Sequence, residues 1–407
     1  MKKMWITLVL LIFLLPDSIL AETPIKAAFI RDQGLWLYKD DGEVLLQENI
    51  SISNLSWSFD GQWLAFETTV TEANGESDIW LYHVPSNKHT KLKMKGNSIM
   101  WSPTGPTFAF LSDSILSVVE LSSMNPVIHQ LTGGVSHFSW DTEGKNLIAS
   151  ASAMLFPDGW SHPRLYVVNW MLEKKKQELD VKVDPLYTIS SPLNLDDLSI
   201  ISIEAEKFNW SKDGKLLAFI VSPTASWSAD SNMLSVFVNE NKILIPLGEI
   251  LRKKEWIKWA PTKPLLASIQ GGGRLTTGVK NKKLTVQSIL PNQKKVFTPV
   301  GCADIDFDWI DDNTIVVARG LEADKPAPFY SSLYIVNTKD GTSSEKRLVK
   351  TPDGSSDENP IFLKNRNLIS WIRKDSNGWN TVWISKTDGS EQQKLIDGVE
   401  RVVWFTE

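Results

Sequence analysis

The sequence predicts an all-β fold, a β-propeller of four-stranded antiparallel blades, with eight blades the preferred count. Three observations predict it. A short motif built on Trp recurs along almost the whole chain. Each copy reads as strand, tight turn, strand, with two further strands behind it. The two chain ends supply complementary parts of one unit.

The best copies are Leu55-Ser-Trp57-Ser-Phe-Asp-Gly61-Gln-Trp-Leu-Ala-Phe66, Ile99-Met-Trp101-Ser-Pro-Thr-Gly105-Pro-Thr-Phe-Ala-Phe110 and Phe208-Asn-Trp210-Ser-Lys-Asp-Gly214-Lys-Leu-Leu-Ala-Phe219. Weaker copies centre on Trp140, Trp259 and Trp309, then on Phe362 in place of Trp, and a last first half ends on Trp404. Apolar residues alternate with period two through each first strand, as at Leu55/Trp57 and Phe307/Trp309. Ser-x-Asp-Gly and Ser-Pro-Thr-Gly are turn chemistry, with Gly able to take the positive φ that closes a turn. A third strand follows each copy, for example Ile79 to Tyr82, Leu165 to Val168 and Leu333 to Val336. A more polar fourth strand comes next, as at Lys91 to Met94 and Ile128 to Leu131.

The ends complete the count. Residues 26–48 supply a second, third and fourth strand, and residues 400–405 supply a first strand alone. Joined, they make one blade and remove the free sheet edges of an open array. Successive anchors are 44, 39, 70, 49, 50, 53 and 42 residues apart, so the long step after Trp140 carries an insertion, placed at 181–200. A seven-bladed ring follows if one weak copy forms no sheet.

Residues 1–21 read as a signal peptide: Lys2 and Lys3, an apolar run from Met4 to Leu15, Pro16, and a cleavage site after Ala21. Residues 22–407 are then one propeller domain, extracytoplasmic (periplasm, cell-wall space or secreted), with no transmembrane segment after cleavage. The 407 residues carry 43 Lys and Arg against 48 Asp and Glu, a net charge of -5, which lacks the basic footprint of a nucleic-acid binder. A single Cys, Cys302, excludes an internal disulfide and any multi-Cys zinc site. Of the 18 Trp, Trp57, Trp101, Trp140, Trp210, Trp259, Trp309 and Trp404 are repeat anchors rather than a binding signature.

At the motifs just quoted, the chain resembles the TolB-like, WD-like propellers, whose repeats read Trp-Ser-Pro-Asp-Gly. The resemblance covers essentially all of residues 22–407. It implies a propeller used as a protein-binding scaffold, as the non-catalytic partner of an α/β-hydrolase peptidase domain, or as a polysaccharide lyase. TolB places an α/β domain before its propeller and the peptidases place a hydrolase after it. Neither is expected here, because strands begin just after Ala21 and Trp404 is close to the last residue.

No catalytic, cofactor or metal set is expected. Gly-x-Ser-x-Gly, His-Glu-x-x-His and the EF-hand pattern are absent. Gly271-Gly-Gly-Arg-Leu-Thr-Thr-Gly278-Val-Lys280 departs from a phosphate loop and reads as a flexible loop. Asp304, Asp306 and Asp308 alternate with apolar residues, so the period places three carboxylates on one side of a strand. Such a row suits Ca²⁺ only with further oxygens, and the plainer reading is a polar edge answered by lysines.

First strands are innermost, so residues one and three before each anchor should line the axial channel. That set is Asn54, Ser56, Ser98, Met100, His137, Ser139, Lys207, Asn209, Trp256, Lys258, Asp306, Asp308, Asn359, Ile361, Arg401 and Val403. Its titratable members, His137, Lys207, Lys258, Asp306, Asp308 and Arg401, read as a structural charge network.

Strand alternation puts the uniform first turns on one face of the disc. The long loops at 70–78, 151–164, 221–232, 270–282, 320–331 and 373–380 fall on the other, where function usually sits. Phe156, Trp160, His162, Trp227, Phe329, Tyr330 and Trp379 lie in them, with Arg274 and Arg373 as cations. Aromatics with Arg are the usual anchors of an interface. The leading expectation is therefore a monomeric, non-enzymatic scaffold that binds a protein or cell-envelope component through this face. The alternative is a carbohydrate-binding or lyase-type propeller acting on a glycan.

Overall fold

The computed structural model describes residues 25–39, 42–68, 77–121, 125–173, 178–339 and 345–406. The expected leader, residues 1–21, and most of the 70–78 loop lie outside the described residues. Among the described residues the fold is all-β apart from short helical turns, and no helix is long and apolar enough to cross a membrane.

The main sheets are antiparallel and follow the expected strand order. The first runs Arg401–Trp404, Lys26–Arg31, Gly34–Lys39, Gly42–Gln47. Its inner pair joins the two chain ends, with Ala27 opposite Trp404 and Ile30 opposite Arg401. The second begins on Ile52–Trp57 and the third ends on Val127–Thr132; they share one continuous strand, Lys88–Trp101, whose first part pairs backward and whose last part pairs forward. Sheets four to eight begin on His137–Trp140, Glu204–Trp210, Ile257–Trp259, Cys302–Asp311 and Ser356–Leu363.

Second strands are apolar on both sides because both faces of each sheet meet a neighbour. Leu64, Ala65 and Phe66 are fully buried in succession, as are Leu217, Ala218 and Phe219. The core clusters span neighbouring sheets rather than filling single ones. One joins sheets five, six and seven through Val236, Trp256 and Phe307. Another joins the eighth sheet to the first through Leu363, Val382 and Ile396 against Ala27, Phe29 and Trp404.

The recurring turn is built the same way in its best copies. Ser58 Oγ donates to Asp60 Oδ1 at 2.6 Å and accepts from the Trp63 amide, and Gly61 takes a φ of 62°. Ser211, Asp213, Leu216 and Gly214 repeat that geometry.

The Trp anchors do more than fill space. In five of them the indole N–H donates to the carbonyl one residue before the anchor of the preceding sheet. The pairs are Trp57 to Val403 at 3.0 Å, Trp101 to Ser56 at 3.3 Å, Trp140 to Met100 at 2.9 Å, Trp259 to Asn209 at 2.9 Å and Trp309 to Lys258 at 3.0 Å. Trp210, which follows the insertion, leaves its buried indole nitrogen without a partner. Where Phe362 replaces Trp, its backbone N–H donates instead to Asp308 Oδ2 at 2.8 Å.

Three expectations about these strands need correction. The 181–200 segment is not one insertion: its first part belongs to the long strand Glu178–Thr188, and only the hairpin Leu193–Leu195 with Leu198–Ile200 is added. The three carboxylates do not share a side. Pairing slips between Asp304 and Asp306, so a bulge turns Asp304 into the interior. There the Arg319 guanidinium meets it with two parallel bonds, at 2.6 and 2.9 Å. The eighth sheet repeats this buried pair with Asp357 and Arg373, at 2.6 and 2.9 Å. Arg373 is thus a strand residue of the interior, not a cation of the loop face.

Candidate functional site

The loops between second and third strands bring most of the expected aromatics to the surface, each on a braced segment. Residues 151–164 contain a small hairpin in which Leu155 pairs with Trp160 and Phe156 with Gly159. Its base is closed by Ser161 N–H to the Met154 carbonyl and by the Met154 N–H to Ser161 Oγ, both at 2.8 Å. Phe156 and Trp160 are exposed, and so are Met154 and Leu155, which the sequence reading passed over. The signal was available: an apolar pair directly before Phe156 in a loop. His162 is exposed beside them, with Nδ1 3.1 Å from the Ile189 carbonyl, so that nitrogen carries the hydrogen.

Trp227 sits on the helical turn Ala225–Ser228 and is 71 % exposed, the most of any Trp among the described residues. The turn is held by Asn232 Nδ2, which donates to the Ser228 carbonyl at 2.9 Å and to the Ile250 carbonyl at 3.1 Å. Trp379 is also exposed, yet its indole donates to Asp397 Oδ1 at 2.8 Å, and Asp375 Oδ1 accepts its amide at 2.8 Å. Lys394 first, then this indole, hold the Asp397 carboxyl below its ordinary range. Tyr330 is exposed; Phe329 is half-buried, its ring against Gly320.

The 270–282 loop is not the flexible segment expected. Gly278 and Val279 pair with Asp324 and Ala323 of the next long loop. Lys280 bridges to Asp324 at 2.7 Å and Lys283 to Glu322 at 2.9 Å. Arg274 reaches the preceding long loop with two bonds to the Asp230 carboxylate, Nε to Oδ1 at 2.7 Å. Gly278, at φ 145°, permits the zipper: a Cβ there would lie 2.7 Å from the Ala323 carbonyl oxygen. Three loops are therefore tied into one surface. Arg274 is part of that tie, half-exposed and already committed to Asp230.

The inner strands bring the expected channel residues into two groups. Asn54, Ser98, Met100, His137 and Lys207 line one cavity of about 300 Å³, together with Lys254 and Glu255. Lys258 and Asp308, 3.0 Å apart, line another of about 600 Å³ with Ile361 and Phe362. The charges answer one another, in part through Glu204, Glu206 and Arg252, which lie outside the expected set. Lys207 lies 3.8 Å from Glu206 of its own strand. His137 lies 3.8 Å from Glu204, and Arg252 is 3.2 Å from Glu204 and also pairs with Glu206. His137, then Arg252 and Lys207, hold the Glu204 carboxyl below its ordinary range against the opposing effect of burial. Asp306 accepts the Asn359 N–H at 3.3 Å, and burial pushes its carboxyl up to about 6, with Lys253 the main opposing charge. Lys254 keeps exposed surface yet is crowded by protein atoms; that desolvation pushes its ammonium down against the pull of Glu255, and Lys207 adds repulsion. Arg401 donates to the Ser53 carbonyl at 2.9 Å.

Two members of the predicted lining are buried instead. Trp256 is fully buried on the turn Lys254–Trp256 and donates across to the Ile305 carbonyl. Ser139 is buried. In the second, third, fifth, seventh and eighth sheets the inner strand carries a register shift near the third residue before the anchor. Ser98, Lys207 and Asn359 take positive φ values of 62°, 58° and 53° at that position.

No protein-family model matches the sequence, and a search of curated proteins finds no relative by sequence. Solved structures are similar in shape. Dipeptidyl peptidase 4 of Porphyromonas gingivalis superposes with a TM-score of 0.58 at 12 % identity, over 92 % of this chain and 58 % of that one. A eukaryotic initiation factor gives 0.57 at 11 % identity, over 93 % of this chain and 87 % of its own. TolB of Acinetobacter baumannii gives 0.39 at 14 % identity, over 65 % of this chain and 61 % of its own, too weak to carry an argument. At such identities a likeness speaks for fold alone. With the four-stranded sheets above, it identifies the chain as a β-propeller.

Proposed function

We propose that the chain is an extracytoplasmic, non-enzymatic scaffold that captures a protein of the cell envelope on its long-loop face. In this reading the sheets are eight blades of one ring, closed where Arg401–Trp404 pairs with Lys26–Arg31. The sheet order and the unbroken succession of inter-sheet cores support that count.

One observation carries the functional reading. Phe156, Trp160, Trp227, Tyr330 and Trp379 are exposed on segments that hydrogen bonds and ion pairs hold in place. Large aromatic rings in water favour burial against a partner, and rings fixed beforehand lose little entropy on binding. The test is the triple variant Trp160→Ala, Trp227→Ala, Trp379→Ala, compared with wild type in crosslinking capture from the exporting cell. The variant should keep its thermal midpoint within a few degrees and lose the partner that wild type captures. Undiminished capture overturns the reading.

A further inference from the structure

Between the fifth and sixth sheets the flank of the disc opens into a cleft of about 710 Å³. The edge strand Ile243–Ile250, the strands Lys283–Ser288 and Gln293–Val296, and the added hairpin at 193–200 wall it. None of the aromatics of the long-loop face lines it.

Carboxamides supply much of the polar surface of the cleft. Gln270 Oε1 accepts from Lys294 Nζ at 2.6 Å, while its Nε2 donates to Ser268 Oγ at 3.0 Å. Gln287 Nε2 donates to Asn292 Oδ1 at 2.6 Å. Gln287 Oε1 has no partner, although Gln287 is only 4 % exposed. A buried acceptor left in this state is costly, and a donor brought in by a ligand relieves the cost. Gly248 makes the arrangement possible, since a Cβ there would lie 2.3 Å from Gln270 Oε1.

The same walls exclude other ligand classes. Asp196, Asp197 and Glu249 outnumber Lys283 and Lys294, and Lys283 is committed to Glu322 and to the Cys302 carbonyl. A phosphate or carboxylate ligand therefore meets more negative charge than positive. Pro246 stands in the edge strand without an N–H, which opposes addition of a peptide strand. Leu195, Leu198, Pro246, Leu247 and Val296 add apolar surface beside these polar groups, which suits the C–H faces of a ring that also carries hydroxyl groups. What remains is a neutral ligand rich in groups that both donate and accept.

We propose that this cleft binds a neutral saccharide, with the Gln270, Gln287 and Asn292 carboxamides reading its hydroxyl groups. The proposal is independent of the long-loop face. The test is a printed array of neutral, acidic and sulfated oligosaccharides probed with labelled full chain, followed by titration of the strongest hit. Neutral glycans should bind. Val296→Trp, at an exposed position of the border, and Gln287→Leu, which removes the orphan acceptor, should each weaken binding at least tenfold with no fall in thermal midpoint. Val296→Trp alone decides the matter if Gln287→Leu does not fold. The triple Trp variant of the long-loop face should bind the same glycan as wild type. Competition by the free disaccharide of the hit marks a chain-end site, and its failure marks a site for the chain interior; either keeps the proposal. No neutral hit, a preference for acidic or sulfated glycans, or full binding by Val296→Trp overturns it.

Discussion

Asp306 is the residue of the first strands at which burial works hardest against charge. Its carboxyl titrates near 6 in the fold, against 3.8 for the free side chain, because burial disfavours the charge. The sign follows from linkage. Through the window from about pH 4 to pH 6 the folded chain holds a proton that the unfolded chain has released, so this group's contribution to stability falls as pH rises. Asp306→Asn keeps an acceptor for the Asn359 N–H and removes the charge. It should raise stability at pH 7.5 by about 1–2 kcal/mol, the full shift being discounted for partial hydration, and the gain should shrink to nothing near pH 4. Urea midpoints at the two pH values measure it; an equal gain at both would rule out the charge as the cause. Simple alternation puts Asp306 and Asp308 on one side of their strand, and both accept backbone N–H groups of the eighth sheet, from Asn359 and Phe362. Asp304 and Trp256 were not legible in the same way. A bulge and a helical turn each break the period on which the inference rested, and neither announces itself in the residues that form it.

At the scale of elements, the repeat was legible because every sheet needs the same two devices, a turn that closes and an anchor that packs. The bond made by each anchor was not, because a Trp in a sequence does not say which carbonyl it will meet. The bond can be tested by contrast. Trp309→Phe leaves the Lys258 carbonyl without its donor, while Trp210→Phe removes an indole nitrogen that has no partner. Both lose similar ring volume. The first should cost about 1–2 kcal/mol more than the second in chemical unfolding. Equal costs would mean that packing alone matters at these positions. The tied loops were illegible for a related reason: that Arg274 meets Asp230, or Gly278 meets Asp324, depends on how adjacent sheets splay, which no local pattern records.

For the whole molecule, the prediction concerns the joined ends. Truncation before Glu400 removes the inner strand of the first sheet and the Val403 carbonyl that Trp57 uses. The edge of Lys26–Arg31 is then free to pair with other chains. The truncated chain should unfold at a lower temperature and aggregate, as thermal melts with light scattering would record; an unchanged midpoint would show that the last strand is dispensable.

The direction of the indole bonds has a consequence for how the molecule comes into being. Trp101, Trp140, Trp259 and Trp309 each reach back to the sheet made before. A chain emerging from the ribosome can therefore dock the third, fourth, sixth and seventh sheets each onto a finished predecessor, and the growing array stays local in sequence. One bond is the exception: Trp57 waits for Val403, 346 residues away. Assembly should thus be stepwise in all but its last act, with the slow search for the ends deferred until everything that could misdirect it is already in place.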